Sequence, residues 1–286
     1  MEACGVRGSQ AARVDSRELG SYNEHVQDHE RPDHGPTRAP EGMAGLAKGL
    51  AIIELFGSTS SRLSVASAAE GIGVARATAR RCLLTLVDLG YVEHDGRYYR
   101  PTPRMLRLGS VYLEASSLPG LAEQHLTDAR DELDESVSLA VWEHGWSIFV
   151  ARAEAQRIVK TGVRVGARLP AHCSATGRVL LAALDDDDVR EQLAGADRQR
   201  RTPHTVTDPD ALLEMVRHVR EEGFAISDEE LELGMRAIAV PVADGVGRIV
   251  AAMSVSASAA RVSAERMRRE FVPVLRREAG RLGRKL

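Results

Sequence analysis

The chain has 286 residues, a length that at about 100 to 200 residues per domain predicts two domains. Hydrophobic residues make up 43% and charged residues 28%, an ordinary soluble balance, and no apolar run approaches the roughly 18 residues that span a bilayer. Met1 to Gln10 lacks the apolar centre of a secretory signal, and Cys4, Cys82 and Cys173 are too scattered for a disulfide framework or a zinc cluster. A reduced, cytoplasmic protein with no membrane partner is expected.

The net charge of -3 divides unevenly along the chain. Residues 1–43 hold 5 basic and 8 acidic side chains, 44–110 hold 9 and 5, 111–260 hold 15 and 25, and 261–286 hold 9 and 3. Two cationic segments therefore sit within an acidic protein. Of the 38 basic residues 35 are arginine, a bias that by itself carries no functional weight.

Residues 1–43 are polar and rich in Gly and Pro, without a periodicity that buries a face, and read as a disordered arm. Leu46, Leu50, Ile53 and Phe56 then fall at helical spacing, widened by Ile52 and Leu55, and predict a first helix ending near Gly57. Ser64 is a plausible cap for a short second helix, Val65 to Glu70, and Gly71 and Gly73 bracket a tight turn. A third helix is expected over Ala75 to Leu89, burying Ala79, Cys82 or Leu83, Leu86 and Leu89 and leaving Arg76, Ala77, Arg80 and Arg81 outward, with Gly90 just past its end. Tyr91 to Arg100 places Asp95-Gly96 between two β-prone runs, a hairpin signal, and so predicts a wing. Arg104 to Ala115 reads as a linker helix with Met105, Leu108 and Tyr112 on one side, a dimer contact or a spacer.

Beyond Pro119 a helix is expected over Leu121 to Leu133, followed by strands over Ser136–Trp142, Ser147–Ala153 and Ile158–Val163. Helices follow over Ala175–Ala183, Asp187–Leu193 and Pro209–Glu222, the last capped by Asp208. Ala237–Val242 and Arg248–Ser254 flank a hairpin turn, and a basic helix from Ala264 to about Leu282 closes the chain, either touching DNA or forming a solvated, domain-packing face. The fold class is α+β: an arm over 1–43, a winged helix-turn-helix domain over 44–101, a linker helix over 102–118, and an effector-binding and oligomerisation domain with an antiparallel sheet over 119–286.

A helix-turn-helix with a wing presents its third helix to the major groove and its wing to the adjacent backbone or minor groove. Arg76, Arg80 and Arg81 suit guanine edges or phosphates, Thr78 a phosphate or base edge beside Ala77, and Arg97 and Arg100 the wing contacts. Nothing supports catalysis. His172, Cys173 and Ser174 are neighbours pointing in different directions without a glycine-flanked elbow. Asp185 to Asp188 read as first-turn carboxylates complementing a helix dipole, and the histidines show no metal spacing. No metal, cofactor or phosphate loop is expected.

Leu46-Ala47-Lys48-Gly49-Leu50, Leu63 to Ala69, Val74 to Val92 and Leu106 to Gly109 resemble the amino-terminal domain of IclR-type transcriptional regulators. Gly166 to Ala182, and Asp228 to Arg236 followed by Ala239-Val240-Pro241-Val242, are similar to that family's effector-domain signatures. With Arg201 to Thr207 the wording is nearest the branch controlling protocatechuate, 4-hydroxybenzoate and β-ketoadipate catabolism. Ala75 stands where a serine often caps the recognition helix, Ser67 where a capping-box glutamate is usual, and the arm is long for the family.

The resemblance implies a GAF-like second domain that binds a small organic or aromatic acid. It also implies a homodimer, singly or as a dimer of dimers, on a pseudo-palindromic double-stranded operator. Its pocket positions fall on Ala175, Thr176, Ser227, Met235, Ala237, Ser254 and Ser256. Ser174 and Thr176 at a helix start form an anion cradle or, alternatively, an ordinary cap, while Arg236 pairs with an effector carboxylate or with Asp228 or Glu229. The competing class is a sensing or protein-interaction module without specific DNA binding.

Overall fold

The computed structural model describes residues 42–56, 61–156, 163–196 and 198–286. The arm and the strand expected over Ile158–Val163 fall, but for Gly42, Met43 and Val163, outside them. Two compact units divide between Arg104 and Met105.

The first unit contains α1 (Ala44–Leu55), α2 (Val65–Gly71) and α3 (Arg76–Asp88), then a hairpin of β1 (Val92–His94) and β2 (Tyr99–Pro101). Its core is Ile52, Leu55, Leu63, Ala68, Ala79, Leu83, Leu86, Val92 and Tyr99. Two expected core assignments are corrected. Leu46 and Leu50 are exposed, because α1 meets α2 and α3 only through its C-terminal half, and Leu89 is exposed at the C-cap of α3. Ser64 caps α2 by accepting from the Ser67 N–H, and Ser67 Oγ accepts from the Ser64 N–H in return. A serine thus completes the box usually closed by glutamate. Gly90 takes φ +75°, and its N–H bonds the Val87 carbonyl, ending α3.

The second unit opens with α4 (Leu106–Ala115) and α5 (Ser117–Leu133). Its sheet runs β5 (Arg168–Pro170), β4 (Trp146–Ala153), β3 (Val137–Glu143), β8 (Ile249–Ser258), β7 (Met235–Ala243), β6 (Ala225–Asp228), with every neighbouring pair antiparallel. The sequence reading missed β6, a four-residue strand that follows α8 across only Gly223 and Phe224. Helices α6 (Ala175–Leu181), α7 (Asp186–Gly195) and α8 (Pro209–Glu222) lie between β5 and β6. The terminal helix starts as α9 (Ala264–Arg266), passes through one π turn over Met267–Phe271 and continues as α10 (Val272–Gly283).

The period of two along the strands gives the sheet different faces. Val137, Leu139, Ile238, Val240, Val242, Ala251, Met253 and Val255 bury one face against α5 and α10. The other carries Ala225, Ala239 and Ala252 toward α6, α7 and α8. Asp185 caps α7, while Asp186 ties it to Arg217 and Arg220 of α8; those guanidinium hydrogen bonds hold the Asp186 carboxyl down at about 2. The acidic run is therefore more than a solvated first turn.

Gly177 lets α6 seat on the strand that feeds it: a Cβ there would overlap Ala171 Cα and crowd the Ala171 carbonyl and Ser174 Oγ. Gly177→Ala is expected to destabilise the second unit by about 3 kcal/mol, the upper end of the usual overpacking cost, since backbone atoms cannot step aside. Gly195→Ala, with open space around its Cβ, should be neutral or gain up to about 1 kcal/mol. Denaturant midpoints of the two variants give the comparison.

Candidate nucleic-acid and effector sites

In the first unit α3 turns Ala79, Leu83 and Leu86 inward, which sends Arg76, Ala77, Arg80 and Arg81 into solvent and leaves Thr78 half-buried. Ala75 makes no side-chain cap bond, and the Thr78 N–H bonds the Ala75 carbonyl at 2.9 Å in its place. In the wing, the loop from Asp95 to Tyr98 is drawn tight by the Asp95 carboxylate, which accepts the N–H groups of Tyr98 (2.7 Å) and Arg97 (2.9 Å). Those two bonds hold the Asp95 carboxyl below its ordinary range. Arg100 pairs with Asp95 at 3.2 Å, and Arg97 stays exposed at the loop tip.

The sequence reading missed Arg62. Leu63 and Tyr99 exchange both backbone hydrogen bonds, adding a third strand segment to the wing, and Arg62 thereby stacks 4.4 Å over the Tyr98 ring, which Arg97 also approaches at 5.1 Å. Only the long-range pairing of Leu63 reveals it.

In the second unit the expected pocket residues fall on the sheet face turned toward α6 and on the segments joining it. Two cross-strand rows lie side by side there: Ser227–Ala237–Ser256, and Ala225–Ala239–Ser254–Ser138–Arg152. Met235 lies two residues before Ala237 on the same face. Apart from Arg152 and Met235 these side chains are small or hydroxylated, so the sheet surface is low where they cluster.

The hydroxyls differ in what they do. Ser174 Oγ donates to the Pro170 carbonyl (2.7 Å) and accepts the Gly177 N–H, Thr176 Oγ1 bonds Ser147 Oγ (2.8 Å), and Ser227 Oγ donates to the Cys173 carbonyl (2.8 Å). Ser174, Ala175 and Thr176 are each 3% exposed or less. The start of α6 is thus an internally bonded cap. Arg236 bonds Asp228 at 2.7 Å and the Val262 carbonyl at 2.5 Å, on the opposite face. It is a structural ion pair.

Arg178, 1% exposed on α6, went unnoticed in the sequence. It donates to the His172 carbonyl through Nε and Nη2, to the Ile226 carbonyl through Nη1, and to both oxygens of the Glu230 carboxylate. Nothing in the one-dimensional sequence links positions so far apart. Among the described residues no group of three His, Cys, Asp or Glu is placed to hold a metal ion, and no helix is long and apolar enough to cross a membrane.

The family description for the C-terminal region of bacterial IclR transcriptional regulators matches residues 111–284, and that for the IclR helix-turn-helix domain matches 45–96. The Pca regulon regulatory protein of Pseudomonas putida is 40% identical over 240 residues, 84% of this chain and 82% of its own. The p-hydroxybenzoate hydroxylase transcriptional activator of Acinetobacter baylyi is 38% identical over 250 residues, 86% and 92%. An IclR homolog from Microbacterium hydrocarbonoxydans, solved in complex with 4-hydroxybenzoate, superposes with a TM-score of 0.70 at 27% identity, over 84% of this chain and 98% of that one.

His172 and Cys173 precede the α6 cap and are both buried. Burial pushes the Cys173 thiol up to about 12 and the His172 imidazole down to about 4, the latter opposed by its bond to the Gln199 carbonyl. A neutral Nε2–H donates that bond. A base with a lowered folded pKa leaves the unfolded chain binding more protons between the two values, so its part of stability is intact above about pH 6.5 and is lost as pH falls toward 4. His172→Gln, which keeps a donor, should reduce the fall in unfolding free energy across that window by up to roughly 3 kcal/mol. Urea titrations of both proteins at several pH values measure the difference.

Proposed function

The chain belongs to the IclR family of bacterial transcriptional regulators, and from that premise we propose that it is a ligand-responsive, DNA-binding regulator of aromatic-acid catabolism, in the protocatechuate, 4-hydroxybenzoate and β-ketoadipate branch. The observation that carries the DNA half is the outward face of α3, where Arg76, Arg80 and Arg81 are exposed and hold no ion pair among the described residues. Arg97 at the wing tip extends that cationic surface, with Ala77 and Thr78 completing the groove-facing helix.

The effector half is supported by the low face built from Ser227, Met235, Ala237, Ser254 and Ser256, with Ser174, Ala175 and Thr176 as its rigid rim. The protein acts in the cytoplasm as a symmetric homodimer, alone or as a dimer of dimers, so that paired domains meet the halves of a pseudo-palindromic operator. The linker helix α4 supports the assembly: it buries none of its side chains and exposes Leu106, Leu108, Val111, Tyr112 and Leu113. An acid that favours one dimer arrangement shifts the population able to span the half-sites, with a coupling of about 1 to 3 kcal/mol. The protein is no enzyme; the acid is a signal that leaves unchanged.

Fluorescence polarisation against the DNA flanking its own coding region, at about 0.15 M salt, tests both halves. We expect sequence-preferring binding that weakens steeply as salt rises and that changes with one of the three acids. Arg80→Ala should weaken specific binding on the order of 10- to 100-fold. Ala237→Leu, which fills the sheet face, should abolish the response to acid and leave DNA affinity in place. Absence of any sequence preference would overturn the regulator reading.

A further inference from the structure

We propose that the loop over 198–207 carries an oxyanion site, in which Arg198 and Arg201 bind a carboxylate or a phosphate beside His172. The site lies outside the Ala/Ser sheet face, and the inference stands whether or not that face takes the effector.

Three arginines, Arg198, Arg200 and Arg201, fall within four residues here, in a stretch over 111–260 that holds 25 acidic side chains to 15 basic. None of the three is in ion-pair range of a carboxylate among the described residues. Their side-chain bonds go only to main-chain carbonyls: Arg198 Nε donates to Thr207 (3.1 Å) and Arg200 Nη1 to Pro203 (3.4 Å). Carboxylates of the neighbouring segment are engaged elsewhere, Asp228 by Arg236, Glu229 by the Gly234 N–H and Glu230 by Arg178.

The loop that presents these charges is pinned. Thr205 Oγ1 accepts the N–H groups of Arg201 (3.1 Å) and Thr202 (2.9 Å), while Thr202 Oγ1 and Thr205 Oγ1 donate to the Glu229 and Glu230 carbonyls. The Gln199 carbonyl, between Arg198 and Arg200, lies 3.2 Å from His172 Nε2, and Arg178 is fixed to the His172 carbonyl. Three guanidinium charges therefore gather around one imidazole, and Glu230 neutralises only that of Arg178. Burial, then the charges of Arg178, Arg201 and Arg198, hold the imidazole at about 4 against its Gln199 bond. Arg198 and Arg201 are each half-buried, and Arg198 Nη1 and Arg201 Nε are cut off from solvent without an acceptor among the described residues. A desolvated cationic donor left unbonded is costly. An oxyanion would complete both, its oxygens accepting from the two guanidinium groups and its charge offsetting the surplus. Access is open, because Gln199, Arg200, Pro203 and His204 are exposed. Since the same loop holds the carbonyls that follow β6, an anion seated on it would brace the strand that carries Ser227.

Calorimetric titration of the full chain in phosphate-free buffer at constant ionic strength tests the proposal, with inorganic phosphate, 4-hydroxybenzoate and β-ketoadipate as separate probes and melting curves to check folding. At least one of them should bind saturably, and Arg198→Gln and Arg201→Gln should each weaken it on the order of 10- to 100-fold. Arg200→Gln, which removes the same charge from the exposed neighbour, should leave it nearly unchanged. Whichever probe loses affinity in both variants names the source, free phosphate or an organic acid. Binding of phosphate through these arginines with no acid bound keeps the site and removes the effector reading. An acid bound undiminished by both variants, with no phosphate binding, overturns the site and leaves the effector reading standing. No saturable binding of any probe, or an equal loss in Arg200→Gln, also overturns it. Should the glutamine variants fail to fold, the arginine Nε–H resonances of the isotope-labelled wild type decide, assigned with Arg198→Lys and Arg201→Lys: a probe that saturates the protein and shifts neither resonance overturns the site.

Discussion

The second unit is organised around one buried charge pair. Arg178 lies in the middle of a seven-residue helix, and its guanidinium reaches three places at once: the segment before α6 through His172, strand β6 through Ile226, and the segment after β6 through Glu230. Such a pair is weak evidence of net stability, because desolvation offsets much of the attraction, yet removing one partner would strand the other charge inside the protein. Its value here is geometric. Thr205 and Thr202 donate to the carbonyls of Glu230 and Glu229, and Ser227 donates to that of Cys173, so the loop over 198–207 is drawn into the same knot. The three stretches that look most like family signatures, Gly166 to Ala182, Arg201 to Thr207 and Asp228 to Arg236, are one network in space.

That knot leaves the adjacent sheet face free to be small. The α5 and α10 side carries the long aliphatic side chains and a buried Glu278 that takes His125 at 3.0 Å and Arg281 at 2.9 Å, which fixes how those helices cross. The α6 side carries alanines and serines, a poor way to fill a core at about 25 cal/mol per Å² of buried apolar surface. A face built so sparingly gains less from apolar burial per residue than its opposite. The long aliphatic side chains and the small, hydroxylated rows thus lie on opposite faces of one sheet.

What the sequence made legible follows from the range of each interaction. Helices α2, α3 and α8, the wing hairpin and the β7–β8 turn are set by local patterns and caps, and Asp208 accepts from the Ala211 N–H as its position implied. The buried side of α1 was misread because a twelve-residue helix packed at one end does not bury its whole apolar stripe. Strand β6 was too short to show a period. Ser67 closing the capping box, Arg62 over Tyr98, Arg178 with Glu230 and Arg152 beside Ser138 could not be read locally. Each depends on a rotamer or on pairing between distant segments.

Arginine content illustrates the same point at the scale of the whole chain. The count, 35 of 38 basic residues, distinguishes nothing, whereas the partners do. In the second unit Arg217 and Arg220 close on Asp186, Arg236 on Asp228, Arg248 on Asp244 and Arg261 on Glu135. Along the terminal helix Arg266 and Arg269 pair with Glu270, Arg277 and Arg281 with Glu278, and Arg276 reaches the Glu222 carbonyl. The basic C-terminal segment therefore spends most of these arginines on pairs within its own helix, while Arg276 and Arg277 reach the neighbouring helices at Glu222 and Glu132. On α3, by contrast, Arg76, Arg80 and Arg81 have no acidic neighbour in ion-pair range among the described residues. A cation left without an internal partner keeps its full long-range attraction for phosphate, and the distribution of acids, more than that of arginines, sets α3 apart from the arginine-rich terminal helix.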